Sequence, residues 1–65
     1  MTVVKVLEVV GASEKDWQSA VATAVSEASK TVANIKGVEV VNWTAGVNGD
    51  KITQFKANCK IAYVE

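Results

Sequence analysis

The sequence predicts an α+β fold of order β-α-β-β, in which a three-stranded antiparallel sheet of strand order 1-3-2 carries one helix across one face. Three observations predict it. Residues 2–10, TVVKVLEVV, are rich in β-branched side chains and read as a strand. A longer stretch then places apolar residues three and four apart, the period of a helix with one buried stripe. Finally Asn48-Gly49 separates two extended segments. That pair is a strong two-residue hairpin signal, because a type I′ turn needs positive φ at both central positions. The helix returns the chain so that strands one and two run the same way. Strand three runs against both, and a fully antiparallel sheet must place it between them. Residues 1–65 are expected to form one domain.

In the first strand Val4, Val6 and Val10 lie on one face and Val3, Leu7 and Val9 on the other. A strand at the surface of a monomer normally alternates apolar and polar residues. Two apolar faces therefore predict that one meets the helix and the other meets another subunit. The helix is expected to start after Ser13 as N-cap, with Asp16 at the third helical position, close to a capping box. Glu14 and Asp16 put negative charge at the positive end of the helix dipole. Ala12 and Trp17 take the positions of a hydrophobic staple, which makes Trp17 a packing anchor. The helix is expected to run to about residue 34, with Trp17, Val21, Ala24, Val25, Ala28, Val32 and Ile35 as its apolar stripe and Lys15, Ser19, Ser26 and Lys30 opposite. The small Ala24 and Ala28 allow a sheet to approach closely. Gly37, after Lys36, is expected to act as the helix C-cap or hinge, where positive φ costs glycine nothing.

The hairpin sets a register in which Val47 faces Asp50, Trp43 faces Gln54, Val41 faces Lys56 and Glu39 faces Asn58. Strand three alternates: Phe55, Ala57, Cys59, Ile61 and Tyr63 should cover the helix, joined by Val38 and Val40. The opposite face then carries Glu39, Val41, Trp43, Gln54, Lys56, Asn58 and Lys60, with no helix to cover it. An exposed aromatic within a mixed polar surface is a common mark of an interface or a ligand site.

Composition narrows the function. A domain of 65 residues buries only about 60% of the surface its unfolded chain exposes, so alone it is marginal. One cysteine permits no internal disulfide, and without histidine there is no Cys/His zinc site, which leaves oligomerisation as the usual route to stability. Seven lysines balance seven acids and there is no arginine, so nothing draws the chain toward nucleic acid. No apolar run approaches 18 residues, which speaks against a membrane span. The opening MTVVKVLEVV lacks a basic start and a small-residue cleavage site, which predicts an intracellular, cytoplasmic protein. An enzyme is not expected: there is no histidine base, serine elbow, phosphate-binding glycine loop or carboxylate pair. Cys59 falls on the core face, where a thiol behaves as a small hydrophobe.

The succession KVLEVVGAS, SEKDWQSAVATAVSEASKTVANI, VEVV and KITQFKANCKIAYVE resembles the dodecins over nearly the whole chain. These are small β-α-β-β proteins that assemble into hollow spheres of twelve subunits. The resemblance implies a self-associating shell that binds or sequesters a small ligand or ions, flavin (riboflavin or FMN) being the family's expected ligand. In flavin-binding dodecins a tryptophan just before the x-E-V of strand two stacks on the isoalloxazine ring, and a glutamine of strand three bonds the ring edge. Counted from VEV, the tryptophan's position here is Gly37. Counted back from Tyr63, the glutamine's position is Lys56. Both are replaced. Trp43 is expected on the same strand face as Gly37 but about 20 Å away, too far to take over within one subunit. Gln54, two residues from Lys56 on the same face, could offer a shifted hydrogen bond. Dodecins without the tryptophan resemble a calcium-binding or purely structural type. The acids Glu8, Glu14, Asp16, Glu27, Glu39, Asp50 and Glu65 are scattered, so a cation site would have to be built across a symmetry axis. Glu39 can instead pair with Lys56 or Lys60 across the hairpin. The ligand-binding candidates are Gly37, Glu39, Trp43, Gln54 and Lys56.

Overall fold

β-Branched residues dominate the first strand, β1, which runs Val4–Ser13 in a computed structural model that describes residues 3–65. Thr2, assigned to this strand by the sequence, lies outside the described residues. The helix α1 spans Trp17–Ala28, and two long strands follow, β2 over Ile35–Asn48 and β3 over Lys51–Val64. The sheet order is β1-β3-β2 and both pairings are antiparallel. The α+β fold and the strand order agree with the sequence.

The helix is shorter than its apolar periodicity suggests. Asp16, with extended backbone, is the N-cap: its carboxylate accepts from the Ser19 N–H at 2.6 Å. The Ser13 hydroxyl instead accepts from the Lys15 N–H, closing a local turn before the helix. Asp16 thus replaces Ser13 as cap. Trp17 becomes the first helical residue, so Ala12 and Trp17 no longer occupy the positions of a hydrophobic staple. Two cap-competent side chains three residues apart compete here, and the one whose turn leads directly into the apolar stripe wins. At the other end the helix stops at Ala28. Ser29, Thr31 and Val32 are poor helix formers. The Thr31 and Val32 N–H groups both donate to the Ala28 carbonyl, which tightens the end. Asn34 takes the left-handed conformation (φ 59°), a role asparagine tolerates, and its carbonyl accepts from the Val64 N–H. Ile35 therefore opens β2 rather than closing the helix. Gly37 lies inside β2 without positive φ, so it is neither cap nor hinge.

The core is small and made mainly of alanine. Ala20, Ala24 and Ala28 form a stripe on α1 that packs on Ala57, Cys59 and Ile61 of β3, and Leu7, Val9 and Val40 pack around them. Gly11 of β1 makes the close approach possible. A Cβ there would stand 2.0 Å from the Ala20 carbonyl oxygen and 2.8 Å from the Ala24 Cβ. As expected, Ala57, Cys59 and Ile61 are the helix-facing residues of β3.

The hairpin differs in register. Its two-residue loop is Gly49-Asp50, with Asn48 paired to Lys51. Gly49 has φ 67° and is the one glycine with positive φ among the described residues, which suits the Gly-first pattern of a II′ turn. Three single-residue bulges follow: Thr53 on β3, then Val41 and Lys36 on β2 are passed over in the pairing. Trp43 consequently faces Ala57 rather than Gln54, Glu39 faces Lys60 rather than Asn58, and Lys56 faces Thr44 rather than Val41.

Candidate functional site

Away from the helix the three strands form an open surface of cross-strand rows. Val6, Ala62 and Gly37 make one row; Glu8, Lys60 and Glu39 the next; Val10, Asn58 and Asn42 the third; Ala12, Lys56 and Thr44 the fourth. Each row is set by β3, whose strict alternation sends Ala57, Cys59 and Ile61 inward and the intervening residues outward. The Asn58 side-chain amide donates to the Asn42 amide oxygen, tying β3 to β2 across this face. A hollow of about 400 Å³ lies beside it, lined by Glu8, Val10, Val41, Asn58 and Lys60 among others. Val41 reaches it because it is the extra residue of a bulge, and bulges re-aim side chains in this way. The hollow thus combines valine walls with one carboxylate, one ammonium and one amide.

Four of the five candidates share this face: Gly37, Glu39, Gln54 and Lys56. They do not converge. Gly37 is opposite Ala62 and Lys56 lies six residues along β3 from there, about 20 Å. Gln54 is farther still, opposite Gly46. Within one chain Gly37 and Lys56 therefore do not adjoin one another. Glu39 sits directly opposite Lys60, with Glu8 on the far side of the same lysine. Among the described residues no three acids, cysteines or histidines approach closely enough to hold a metal ion.

Trp43 is the exception, and the expectation that it lies on the uncovered face is corrected. It stands on the helix side, where its indole meets that of Trp17 edge to face, with ring centroids 6.4 Å apart. Trp17 also packs against Phe55 at 4.7 Å, and its Nε1–H donates to the Thr44 carbonyl at 2.9 Å. Trp17 is the packing anchor it was expected to be. Trp43 remains half exposed, and the two indoles line an apolar notch of about 360 Å³. This pairing was not legible in the sequence, where Trp17 and Trp43 sit in different elements and on apparently different faces. Cys59 is buried, and its burial pushes the thiol pKa above its ordinary value. No described helix is long and apolar enough to cross a membrane.

The arrangement of strands, helix and open face has close counterparts. The dodecin from Streptomyces davaonensis superposes with a TM-score of 0.93 at 23% identity, covering 98% of this chain and 94% of that one. The dodecin from Streptomyces coelicolor gives 0.94 at 25% identity, covering 98% and 91%. A Thermus thermophilus protein gives 0.94 at 22% identity, covering 100% and 96%. No curated protein matches the chain. The family model described as Dodecin matches residues 3–65, and on that match the chain belongs to the dodecin family.

Proposed function

We propose that this dodecin is a non-enzymatic, self-assembling protein whose copies close into a hollow dodecamer and hold a small ligand or ions against the open sheet face. The observation that carries the reading is the distribution of apolar surface. Val4, Val6 and Val10 of β1, Val38, Val41, Trp43 and Val47 of β2, and Ile52 of β3 are all exposed, while the buried core consists of six small or medium side chains. A chain that leaves more large apolar residues outside than inside needs other copies to cover them.

The ligand is not expected to be a stacked flavin pair. Flavin-binding dodecins carry their ring at the position of Gly37, and here that position is open strand with nothing within 4 Å of where a Cβ would stand. Sedimentation and a visible absorption spectrum test both halves. A large assembly without colour is expected. A stable monomer at micromolar concentration overturns the shell, and a yellow protein with quenched flavin fluorescence overturns the ligand reading. A calcium-binding or purely structural dodecin is the second reading. It is favoured by Glu8 and Glu39 standing in one row on the open face, where copies around an axis would multiply each carboxylate.

A further inference from the structure

The two-residue loop of the hairpin is Gly49-Asp50, which leaves Asn48 as the last residue of β2, paired with Lys51. Two groups then stand unused beside each other: the carboxamide of Asn48 and the backbone N–H of Gly49. Neither has a hydrogen-bond partner among the described residues. Both residues are exposed, and nothing lies within 4 Å of where a Gly49 Cβ would stand.

We propose that Asn48 is a site of spontaneous covalent modification, at which the side chain deamidates through a cyclic imide closed by Gly49. The Gly49 backbone nitrogen gives up its proton and attacks Asn48 Cγ. A C–N bond forms there, the bond from Cγ to the carboxamide nitrogen breaks, and that nitrogen takes up a proton and leaves as ammonia. Water then opens the ring at one of its two carbonyls. Opening at Cγ gives aspartate. Opening at the main-chain carbonyl gives isoaspartate, with the chain routed through Cβ and Cγ. One water is consumed and one ammonia released, and no electrons are transferred.

The fold selects this asparagine among the four in the chain. Ring closure needs room at the following residue, and glycine offers no side chain to obstruct it. Asn34, Asn42 and Asn58 are followed by Ile35, Trp43 and Cys59. The side-chain amides of Asn42 and Asn58 are also bonded to each other. Asn48 must leave its extended backbone for the ring to close, and the hairpin tip allows that. β1 ends at Ser13, opposite Phe55, so no third strand reaches the tip. Beyond the bulge at Thr53 only the pairs Asn48–Lys51 and Val47–Ile52 hold it. Two-stranded ribbons are at best marginally stable in water, and such ends open at little cost.

Either product adds a carboxylate and takes the chain from a formal net charge of zero to minus one. Isoaspartate also inserts a main-chain carbon beside a two-residue loop, which breaks the pairing of residue 48 with Lys51. The tip would then fray back to Thr53, and the converted fraction would record the age of the chain.

The test is to incubate the purified protein beside a synthetic peptide of residues 44–52 in mildly alkaline buffer. Cleavage after lysine then releases residues 37–51, which contain both Asn42 and Asn48. A unit gain in mass should appear at residue 48, as separable aspartate and isoaspartate forms. Its rate should rise with pH and stay within roughly tenfold of the peptide's, because the tip opens freely. Asn34, Asn42 and Asn58 should remain unchanged. Asn48→Gln should stop the reaction, since the longer side chain would have to close a six-membered ring. Conversion more than roughly tenfold slower than in the peptide would show that the hairpin protects Asn48, and overturns the proposal. Earlier conversion at another asparagine, or aspartate formed without isoaspartate, overturns it as well. The comparison of protein with peptide needs no variant, so a variant that fails to fold does not shelter the proposal.

Discussion

Restoring a ring at Gly37 should convert this dodecin into a better flavin binder. The position is unusually permissive. Gly37 lies in β2 opposite Ala62, an added Cβ meets no atom within 4 Å, and the backbone is outside the left-handed region. Tryptophan is at home on a strand. The substitution alone should therefore change folding stability by no more than about 0.5 kcal/mol. Stacking a planar base on an aromatic side chain contributes about 1–3 kcal/mol. Gly37→Trp should accordingly tighten riboflavin binding by roughly 5- to 150-fold. Lys56→Gln should add about 0.5–1.5 kcal/mol, the usual net contribution of a hydrogen bond. In one chain Lys56 is about 20 Å from Gly37, so this second gain depends on a neighbouring copy and should vanish in any variant that fails to assemble. The assay is riboflavin fluorescence quenching, titrated with parent, single and double variants whose assembly has been checked by sedimentation. An assembled Gly37→Trp protein that binds riboflavin no better than the parent would refute the reasoning. So would nanomolar binding by the parent, which would mean that another residue already supplies the plate.

Three further outcomes follow from the fold. Gly11→Ala should destabilise the protein by about 1–3 kcal/mol or more, because the new methyl meets backbone atoms of Ala20 and Ala24 at 2.0 and 2.9 Å and the helix must lift. Thermal melts beside Gly37→Ala, where the space is open, check this, and equal melting temperatures would contradict it. The Ser19 N–H bond holds the Asp16 carboxyl below its ordinary pKa, with the Ser19 side chain and then Lys15 adding to the effect. A carboxylate with lowered folded pKa stabilises fully above its unfolded value near 4 and loses that contribution as pH falls through the folded value. Asp16→Ala should thus melt below the parent at pH 7, and the gap should close in acid; a gap independent of pH would exclude the charged cap. Cys59 is buried with a raised thiol pKa, so a thiol-specific disulfide reagent should modify it only as the protein unfolds, and rapid labelling in native buffer would show that the core opens.

What the sequence revealed of the fold is explained by where single residues do or do not disturb a period. β3 alternates without ambiguity from Phe55 to Tyr63, and Ala57, Cys59 and Ile61 are buried as that alternation requires. Ala20 was missed as a core residue because alanine carries little hydrophobic signal, although the helix needs small residues wherever Gly11 and β3 press against it. The hairpin was misplaced because Asn48-Gly49 and Gly49-Asp50 both satisfy turn chemistry, and choosing between them moves every cross-strand partner. That error alone changes partners but not faces: the pairing shifts by two, from Val47–Asp50 to Val47–Ile52, and an even shift preserves which side each residue points to. Faces change only at bulges. Thr53 adds one residue to β3, which turns Ala45 and Trp43 to the helix side; Val41 then adds one to β2, which turns the strand back. Val40 and Val38 therefore lie where simple alternation puts them, and Trp43, between the two bulges, does not. A bulge requires no particular residue type at Thr53 or Val41, so neither was visible in the sequence. The consequence reaches the site itself. The two bulges bring Trp43 against Trp17 on one side and leave Val41 lining the hollow on the other, so one inserted residue on each strand creates both the indole-lined notch and the valine-walled hollow.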